Sequence, residues 1–149
     1  MIATLLPKLL FARIEGKAGP QFMTRTLHFL AMDVAIVIPV FNRATILPDT
    51  LESVAAQTVQ PSQVIVVDDG STDHSAAAAE RWFERESRSF DWKIVRTQHV
   101  SGGTARNRGG READDCELLQ FLDSDDVLPP DFLERAINVF RANPRVDNG

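Results

Sequence analysis

Three carboxylates stand directly behind an apolar run near the end of the chain. Residues 117–126 read ELLQFLDSDD, so strand-like residues give way at once to Asp123, Asp125 and Asp126. Crowded carboxylates repel one another unless a cation or a proton relieves them. A hard divalent cation such as Mg²⁺ or Mn²⁺ prefers oxygen ligands and usually keeps substrate phosphates in its shell. The pattern predicts a metal site, and a solvated surface loop is the alternative.

A second acidic pair follows another apolar run. Residues 64–73 read VIVVDDGSTD, with Asp68 and Asp69 at the end of the run. The glycine and the small polar residues behind them explain a tight turn and a helix cap. They do not explain two adjacent carboxylates. One of these, with Asp69 favoured over Asp68, could accept a hydrogen bond from an imide N–H such as N3 of uracil.

Further candidate residues lie between the acidic clusters and before them. Residues 101–109 read SGGTARNRG, and Arg106 and Arg108 would suit a diphosphate because guanidinium matches phosphate oxygens with two donors. Near the start, Pro39 fixes the backbone, Phe41 could cover a flat base, and Asn42 could bond a ribose or a backbone group. A structural helix with solvated arginines and an ordinary strand-to-helix turn are the alternatives.

The patterns around these residues alternate between strand and helix from Asp33 onward. Strands are expected at Val34–Ile38, Gln63–Val67, Trp92–Thr97 and Leu118–Leu122, each followed by a helical pattern. Four βα units predict an α/β fold with a doubly wound, mainly parallel sheet and helices on both faces. The strand order 3-2-1-4 would bring the polar strand ends together at the switch point. His99, behind the third strand, is expected to be peripheral.

Composition limits the class of protein. The chain has 149 residues, of which 44% are hydrophobic and 25% charged, as in one globular domain. Its net charge of −5 argues against nucleic-acid binding. The single cysteine, Cys116, cannot form an internal disulfide, and it is expected to be a small buried residue.

The first 32 residues differ from the rest. They carry four basic side chains and one acidic side chain, and their apolar residues follow no sustained period. We expect 1–32 to be a poorly packed leader or N-terminal extension, with a membrane-surface segment as the alternative. Residues 33–149 would form the nucleotide-binding domain.

The sequence excludes several other classes of site, because the residues that they require are absent or stand at the wrong positions. No Walker A sequence is present, so a P-loop is excluded. An EF-hand loop beginning at Asp123 would place Leu128 where glycine is required. A phospho-acceptor receiver domain needs its acid pair after the first strand, which here ends in Pro39.

Taken together, the motifs resemble those of the family 2 glycosyltransferases with the GT-A fold. The matching segments, in order, are IVIPVFNR (36–43), LESVAAQT (51–58), VIVVDDGSTD (64–73), SGGTARNRG (101–109), FLDSDD (121–126) and LPPDFLE (128–134).

The resemblance implies a nucleotide-sugar donor, often a UDP-sugar, with Mn²⁺ or Mg²⁺ and inversion at the anomeric carbon. It implies that Asp69 bonds uracil and Arg106 approaches the diphosphate. Asp123 and Asp125 would form the DxD motif, with Asp125 the more direct metal ligand. Pro39 and Phe41 would frame the base.

It also implies a cytoplasmic protein, free or at the inner face of the membrane, that serves cell-envelope polysaccharide synthesis. The acceptor would be a sugar, a lipid-linked sugar or a protein. In this family the catalytic base lies beyond the DxD strand, so the chain is expected to represent the donor-binding half and not to transfer sugar alone. A non-catalytic nucleotide-binding fragment, or half of a split enzyme, is the alternative.

Overall fold

The computed structural model describes residues 11–13, 32–87, 90–99 and 101–143. Five strands lie in these ranges: β1 (Phe11–Arg13), β2 (Val34–Val40), β3 (Gln63–Asp68), β4 (Asp91–Arg96) and β5 (Leu118–Phe121). Four helices accompany them: α1 (Leu47–Ala55), α2 (Ser75–Arg85), α3 (Gly102–Glu112) and α4 (Phe132–Ala142). No helix in these ranges has both the length and the hydrophobicity to cross a bilayer.

One sheet contains all of these strands, in the order β1-β5-β2-β3-β4. Strands β5, β2, β3 and β4 are parallel to one another, which confirms the predicted order 3-2-1-4. The additional strand β1 pairs antiparallel with β5 and was not predicted. The rest of segment 1–32, except Met32, lies outside the described residues, so its poor packing stays a prediction.

The two central strands are hydrophobic throughout because helices cover both faces of the sheet. Alternate residues of β2 contribute to two separate clusters, as strand geometry requires. Val34, Ile36 and Ile38 pack in the larger cluster with side chains from α1, α2 and α4. Ala35 and Val37 pack in the smaller one, beneath α3. Helices on both faces were therefore predicted correctly.

Helix α3 lies against the sheet with almost no apolar side chains of its own. Only Ala105 and Gly109 are buried on it. A Cβ atom at Gly109 would lie 2.2 Å from Cγ1 of Val37 and 3.0 Å from Cγ2 of Val67. The absence of a side chain at Gly109 therefore lets the helix backbone approach β2 and β3 closely, and this approach sets the height of Arg106 above the strand ends.

The proline in the central strand lies where pairing on one side has ended. The carbonyl of Val40 accepts a bond from the Asp69 N–H at 2.9 Å, toward β3, whereas that of Val37 accepts from Leu122 N–H at 3.0 Å, toward β5. Backbone groups of alternate residues point to opposite neighbours, so Pro39 faces β5 and has no N–H to offer. The ladder between β2 and β5 consequently ends at the pair Val37 and Phe121.

We expect Gly109→Ala to destabilise the fold by about 2–3 kcal/mol, because the new methyl group overpacks the contact with Val37. Gly103→Ala in the same helix is the control, since its Cβ would meet nothing nearer than Ser101 Oγ at 4.0 Å. It should change stability by less than about 1 kcal/mol. Urea unfolding measures both, and equal effects would contradict the close approach.

Candidate functional site

A cleft of about 380 Å³ opens at the carboxyl ends of β2, β3 and β5. Six of the ten candidate residues predicted from the sequence line it: Pro39, Phe41, Asp69, Arg106, Asp123 and Asp125. The parallel strand order brings these residues together although they come from four separate segments. The other four, Asn42, Asp68, Arg108 and Asp126, do not line the cleft.

Asn42 and Asp68 use their polar groups to shape the loop behind β3. Asn42 has a positive φ of 52°, and its Oδ1 accepts from the Thr72 N–H at 2.8 Å. Its own N–H donates to Ser71 Oγ at 2.9 Å. Asp68 is buried, and its Oδ1 accepts from the Ser71 N–H at 2.9 Å. The backbone role weighed for Asn42 is therefore the one that it fills.

Asp73 joins the start of α2 to the turn behind β2. Its Oδ2 accepts from the Ala44 N–H at 2.9 Å, and its Oδ1 accepts from the Ser75 N–H at 3.0 Å. The backbone hydrogen bond from Ala44, followed by that from the Ser75 hydroxyl, lowers the pKa of Asp73 below its ordinary 3.8. Asp73 thus caps α2 from one position before His74, which has a left-handed φ of 66°.

The base end of the cleft contains Asp69, Phe41 and His99. Asp69 is only 3% exposed, and its Oδ1 accepts from the Thr97 hydroxyl at 2.9 Å. His99 Nδ1 lies 3.1 Å from the Asp69 carbonyl oxygen and 3.3 Å from its Oδ2. The His99 ring stacks on Phe41 with centroids 4.2 Å apart. The prediction that His99 is peripheral was therefore wrong, because the third strand ends beside the second.

The opposite end of the cleft is charged. Arg106 forms an ion pair with Asp123, and both side chains are partly exposed. Arg108 instead pairs with Glu112 one turn later, at 2.7 Å, and does not line the cleft. The structure therefore does not bring Arg108 into the cleft with Arg106, and its role as a diphosphate partner stays a prediction.

The loop behind β5, called here the acidic loop, contains Asp123, Asp125 and Asp126, whose carboxylate oxygens fit a hard cation. Burial, and then the charges of Asp123 and Asp125, raise the pKa of Asp126 above its ordinary value. Among the described residues no group of three or more His, Cys, Asp or Glu side chains is arranged as a metal cage. A cation here would need phosphate and water oxygens beside one or two carboxylates, which is the usual arrangement for Mg²⁺.

Polar side chains of α1, and Gln57 just beyond its end, hold this acidic loop in place, a feature that was not predicted from the sequence. Thr50 Oγ1 donates to the Ser124 carbonyl at 3.0 Å, and Ser53 Oγ accepts from the Leu128 N–H at 3.1 Å. Gln57 donates to the Pro129 carbonyl at 2.7 Å and accepts from the Leu133 N–H at 3.0 Å.

The helical spacing of these polar residues was the available signal. Thr50 and Ser53 are buried on α1, and Gln57, buried just beyond the end of the helix, continues the same spacing of three and four residues. Buried polar side chains at this spacing predict that a segment without regular secondary structure packs there.

Comparison with known proteins gives a family match. The model of the family described as Glycosyl transferase family 2 matches residues 35–148. EpsH of Bacillus subtilis is 34% identical over 104 residues, which are 70% of this chain and 29% of EpsH. The chain therefore spans less than a third of the length of that relative.

Solved structures resemble the same part of the chain. The 1–349 fragment of S. aureus TarS in complex with UDP-GlcNAc has a TM-score of 0.66 at 26% identity, over 76% of this chain and 32% of that one. The mannosyltransferase PcManGT from Pyrobaculum calidifontis, in complex with GDP-Man and Mn²⁺, has a TM-score of 0.59 at 27% identity. That match covers 64% of this chain and 28% of the other.

We expect Gln57→Met to destabilise the fold by about 2–4 kcal/mol, because it leaves the Pro129 carbonyl and the buried Leu133 N–H without their partner. Thr58→Val is the matched control. It removes only an exposed hydrogen bond, 2.9 Å long, to Glu134 and should cost less than about 1 kcal/mol. Denaturant unfolding compares the two variants, and similar losses would contradict the role assigned to Gln57.

We expect Asp73→Asn to lower stability at neutral pH. The folded-state pKa of Asp73 is lowered, so its charge stabilises the fold above the ordinary value of 3.8. That contribution is lost as the pH falls through the folded-state pKa. The stability difference between wild type and Asp73→Asn should therefore shrink in acid, as urea unfolding over a pH series would measure. A difference that grows toward low pH would contradict this cause.

Proposed function

The chain belongs to glycosyl transferase family 2, and we propose that its cleft binds the nucleoside-diphosphate part of a UDP-sugar donor together with Mn²⁺ or Mg²⁺. One observation carries the proposal. A single cleft has an aromatic and acidic end at Phe41 and Asp69 and an arginine and carboxylate end at Arg106 and Asp125. A nucleotide is likewise aromatic at one end and charged at the other.

The base end suits a flat heterocycle with hydrogen-bonding edges. Phe41 is 42% exposed, which is unusual for so large an apolar side chain at the end of a central strand. Its ring offers a stacking surface. The TarS fragment in complex with UDP-GlcNAc supports uridine as the nucleoside, while the complex of PcManGT contains GDP-Man.

The charged end suits a diphosphate. Arg106 is paired with Asp123, and a phosphate would offer the guanidinium a bidentate partner in its place. Asp125 and Asp123 would then hold the cation, with Asp126 as a weaker candidate. The bound cation would neutralise charge on the departing diphosphate. The complex of PcManGT with Mn²⁺ supports a divalent metal.

For the whole enzyme we propose transfer of the sugar, with inversion at the anomeric carbon, to an acceptor hydroxyl. Membership of the family supports this activity. The acceptor class, peripheral membrane association and a role in cell-envelope polysaccharide synthesis stay predictions of the resemblance. The catalytic base is not assigned to any described residue.

We expect calorimetry to detect UDP binding near the millimolar range, about −4 kcal/mol, only when Mn²⁺ or Mg²⁺ is present. Asp125→Ala should weaken this binding at least tenfold, because it removes a carboxylate from the cation. Asp131→Ala is the control, since Asp131 is exposed, pairs with Arg135 at 3.3 Å and does not line the cleft. Metal-independent binding, or equal loss in both variants, would contradict the metal role.

A further inference from the structure

We propose that the outer edge of strand β4 binds the same edge of a second copy of this chain, so that the two sheets join into one. The two β4 strands would run antiparallel about a two-fold axis, with Ile94 opposite its own copy. This inference does not depend on the proposed function of the cleft, because none of the β4 residues lines the cleft.

The first argument is the direction of the backbone groups of β4. This strand lies at the edge of the sheet and pairs with β3 and with no other described strand. On the β3 side, the Thr97 N–H donates to the Asp68 carbonyl at 2.8 Å. Backbone groups of alternate residues point to opposite sides of a strand, so those of Trp92, Ile94 and Arg96 point away from β3. An edge of this kind is a template for another strand.

The second argument is that the lysine of this edge does not block it. Many sheets protect an edge strand with a lysine side chain. The Nζ of Lys93 instead donates to Asp114 Oδ2 at 2.6 Å and to the Glu112 carbonyl at 3.0 Å. Both partners lie at the end of α3, so the charge of Lys93 is compensated there and is drawn back from the edge.

The third argument is an exposed aromatic side chain beside the outward backbone groups. Trp92 is 39% exposed, which is unusual for so large an apolar side chain. Its ring stacks on Phe83 of α2, with centroids 4.9 Å apart and an interplanar angle of 4°. Only one face of the indole is used in this contact, and aromatic residues are enriched where proteins associate.

The fourth argument is that β4 is complementary to itself. Trp92, Ile94 and Arg96 share the side of the sheet on which Ile94 packs against the larger cluster. A two-fold axis perpendicular to the sheet keeps that side common to both copies. With Ile94 at the axis, each Trp92 stands directly opposite the Arg96 of the other copy, at a Cβ separation of about 5 Å. A guanidinium beside an indole forms a favourable cation–π pair.

Axes at the two neighbouring residues fit less well. An axis at Lys93 would set the two Lys93 side chains directly opposite each other, and like charges in that position are destabilising. It would also leave Arg96 facing a residue outside β4. An axis at Val95 would leave Trp92 facing a residue outside β4. The axis at Ile94 therefore pairs all of the outward backbone groups of β4 with one another.

The test is sedimentation velocity of the whole chain. An interface of one short strand on each side is small, so we expect a reversible dimer with a Kd of about 100 µM. Arg96→Glu should weaken the dimer at least tenfold, because it replaces the cation with a carboxylate that the indole face repels. Arg135→Glu is the control, since it makes the same change of charge on α4, where the Arg135 side chain is 60% exposed. It should change the Kd by less than about threefold.

Two outcomes of the sedimentation measurement would overturn the proposal. One is a wild-type chain that stays monomeric up to about 1 mM, ten times the expected Kd. The other is a dimer that both substitutions weaken equally, because the contact would then depend on net charge and not on the edge of β4.

Amide hydrogen exchange of the wild-type chain locates the contact without any substitution. In the dimer the N–H groups of Trp92, Ile94 and Arg96 are bonded across the axis, whereas those of Lys93 and Val95 face β3 in monomer and dimer alike. We expect exchange of the first three to slow about threefold between about 50 µM and 1 mM, and that of the other two to stay unchanged. A dimer without this alternation would lie elsewhere on the surface and overturn the proposal.

Cross-linking tests the register. The two Cα atoms of residue 94 would lie about 5.5 Å apart, within reach of a disulfide, whereas those of residue 93 would lie about 7–8 Å apart. Oxidised Ile94→Cys should therefore form a covalent dimer, and oxidised Lys93→Cys should not. A covalent dimer of Lys93→Cys, or of neither variant, would overturn the proposed pairing.

Discussion

The hydrogen bonds between α1 and the loop behind β5 are the constraint on which the charged end of the cleft depends. The loop is irregular, and its buried backbone groups must be satisfied by something other than a helix or a strand ladder. Those partners come from Thr50 and Ser53 on α1 and from Gln57 just beyond its end. An unpaired buried group costs about 1–3 kcal/mol, against a total stability of about 5–15 kcal/mol. Loss of all three partners would therefore remove a large part of that stability.

The shape of the cleft around the acids behind β5 depends on two further residues, Pro39 and Gly109. Because Pro39 has no N–H, the hydrogen-bonded ladder between β2 and β5 ends where the cleft begins. The missing side chain of Gly109 lets α3 settle on Val37 and Val67, which places Arg106 opposite Asp123. A proline and a glycine, both poor residues for the interior of a strand or a helix, thus shape the cleft by what they lack.

The strands of the sheet could be predicted from the sequence because burial on both faces requires uninterrupted apolar runs. The order of the strands could be predicted because only a few orders bring the polar strand ends together. It predicted element ends less well. Strand β2 runs past Pro39 to Val40 because pairing with β3 continues there. Helix α3 begins at Gly102 because the Ser101 hydroxyl accepts from the Thr104 N–H at 3.2 Å. Both endings depend on contacts that neighbouring sequence letters do not reveal.

The same limit applies to the cleft. Residue type and position at a strand end sufficed to place Asp69 and Asp125 in the cleft, because the fold itself brings strand ends together. Arg106 could be placed from its position near the start of the helix that follows β4. His99 could not be placed in the same way, since its position depends on contacts with Phe41 and with Asp69, which is 30 residues away. Asn42 was ambiguous from sequence because its side chain can serve a ligand or the backbone equally well.

Burial separates the acids that build the cleft from those that are open to a ligand. Asp68 and Asp73 accept backbone N–H bonds, and such bonds are lost only if the loop itself unfolds. Asp123 and Asp125 are exposed, and the contact of Asp123 with Arg106 is an ion pair that a phosphate and a cation could exchange without disturbing the core. Burial, and then the charges of Asp123 and Asp125, raise the pKa of Asp126 at the same place. One arginine cannot balance three carboxylates, so a divalent cation at this end of the cleft would relieve a repulsion that the fold alone leaves in place.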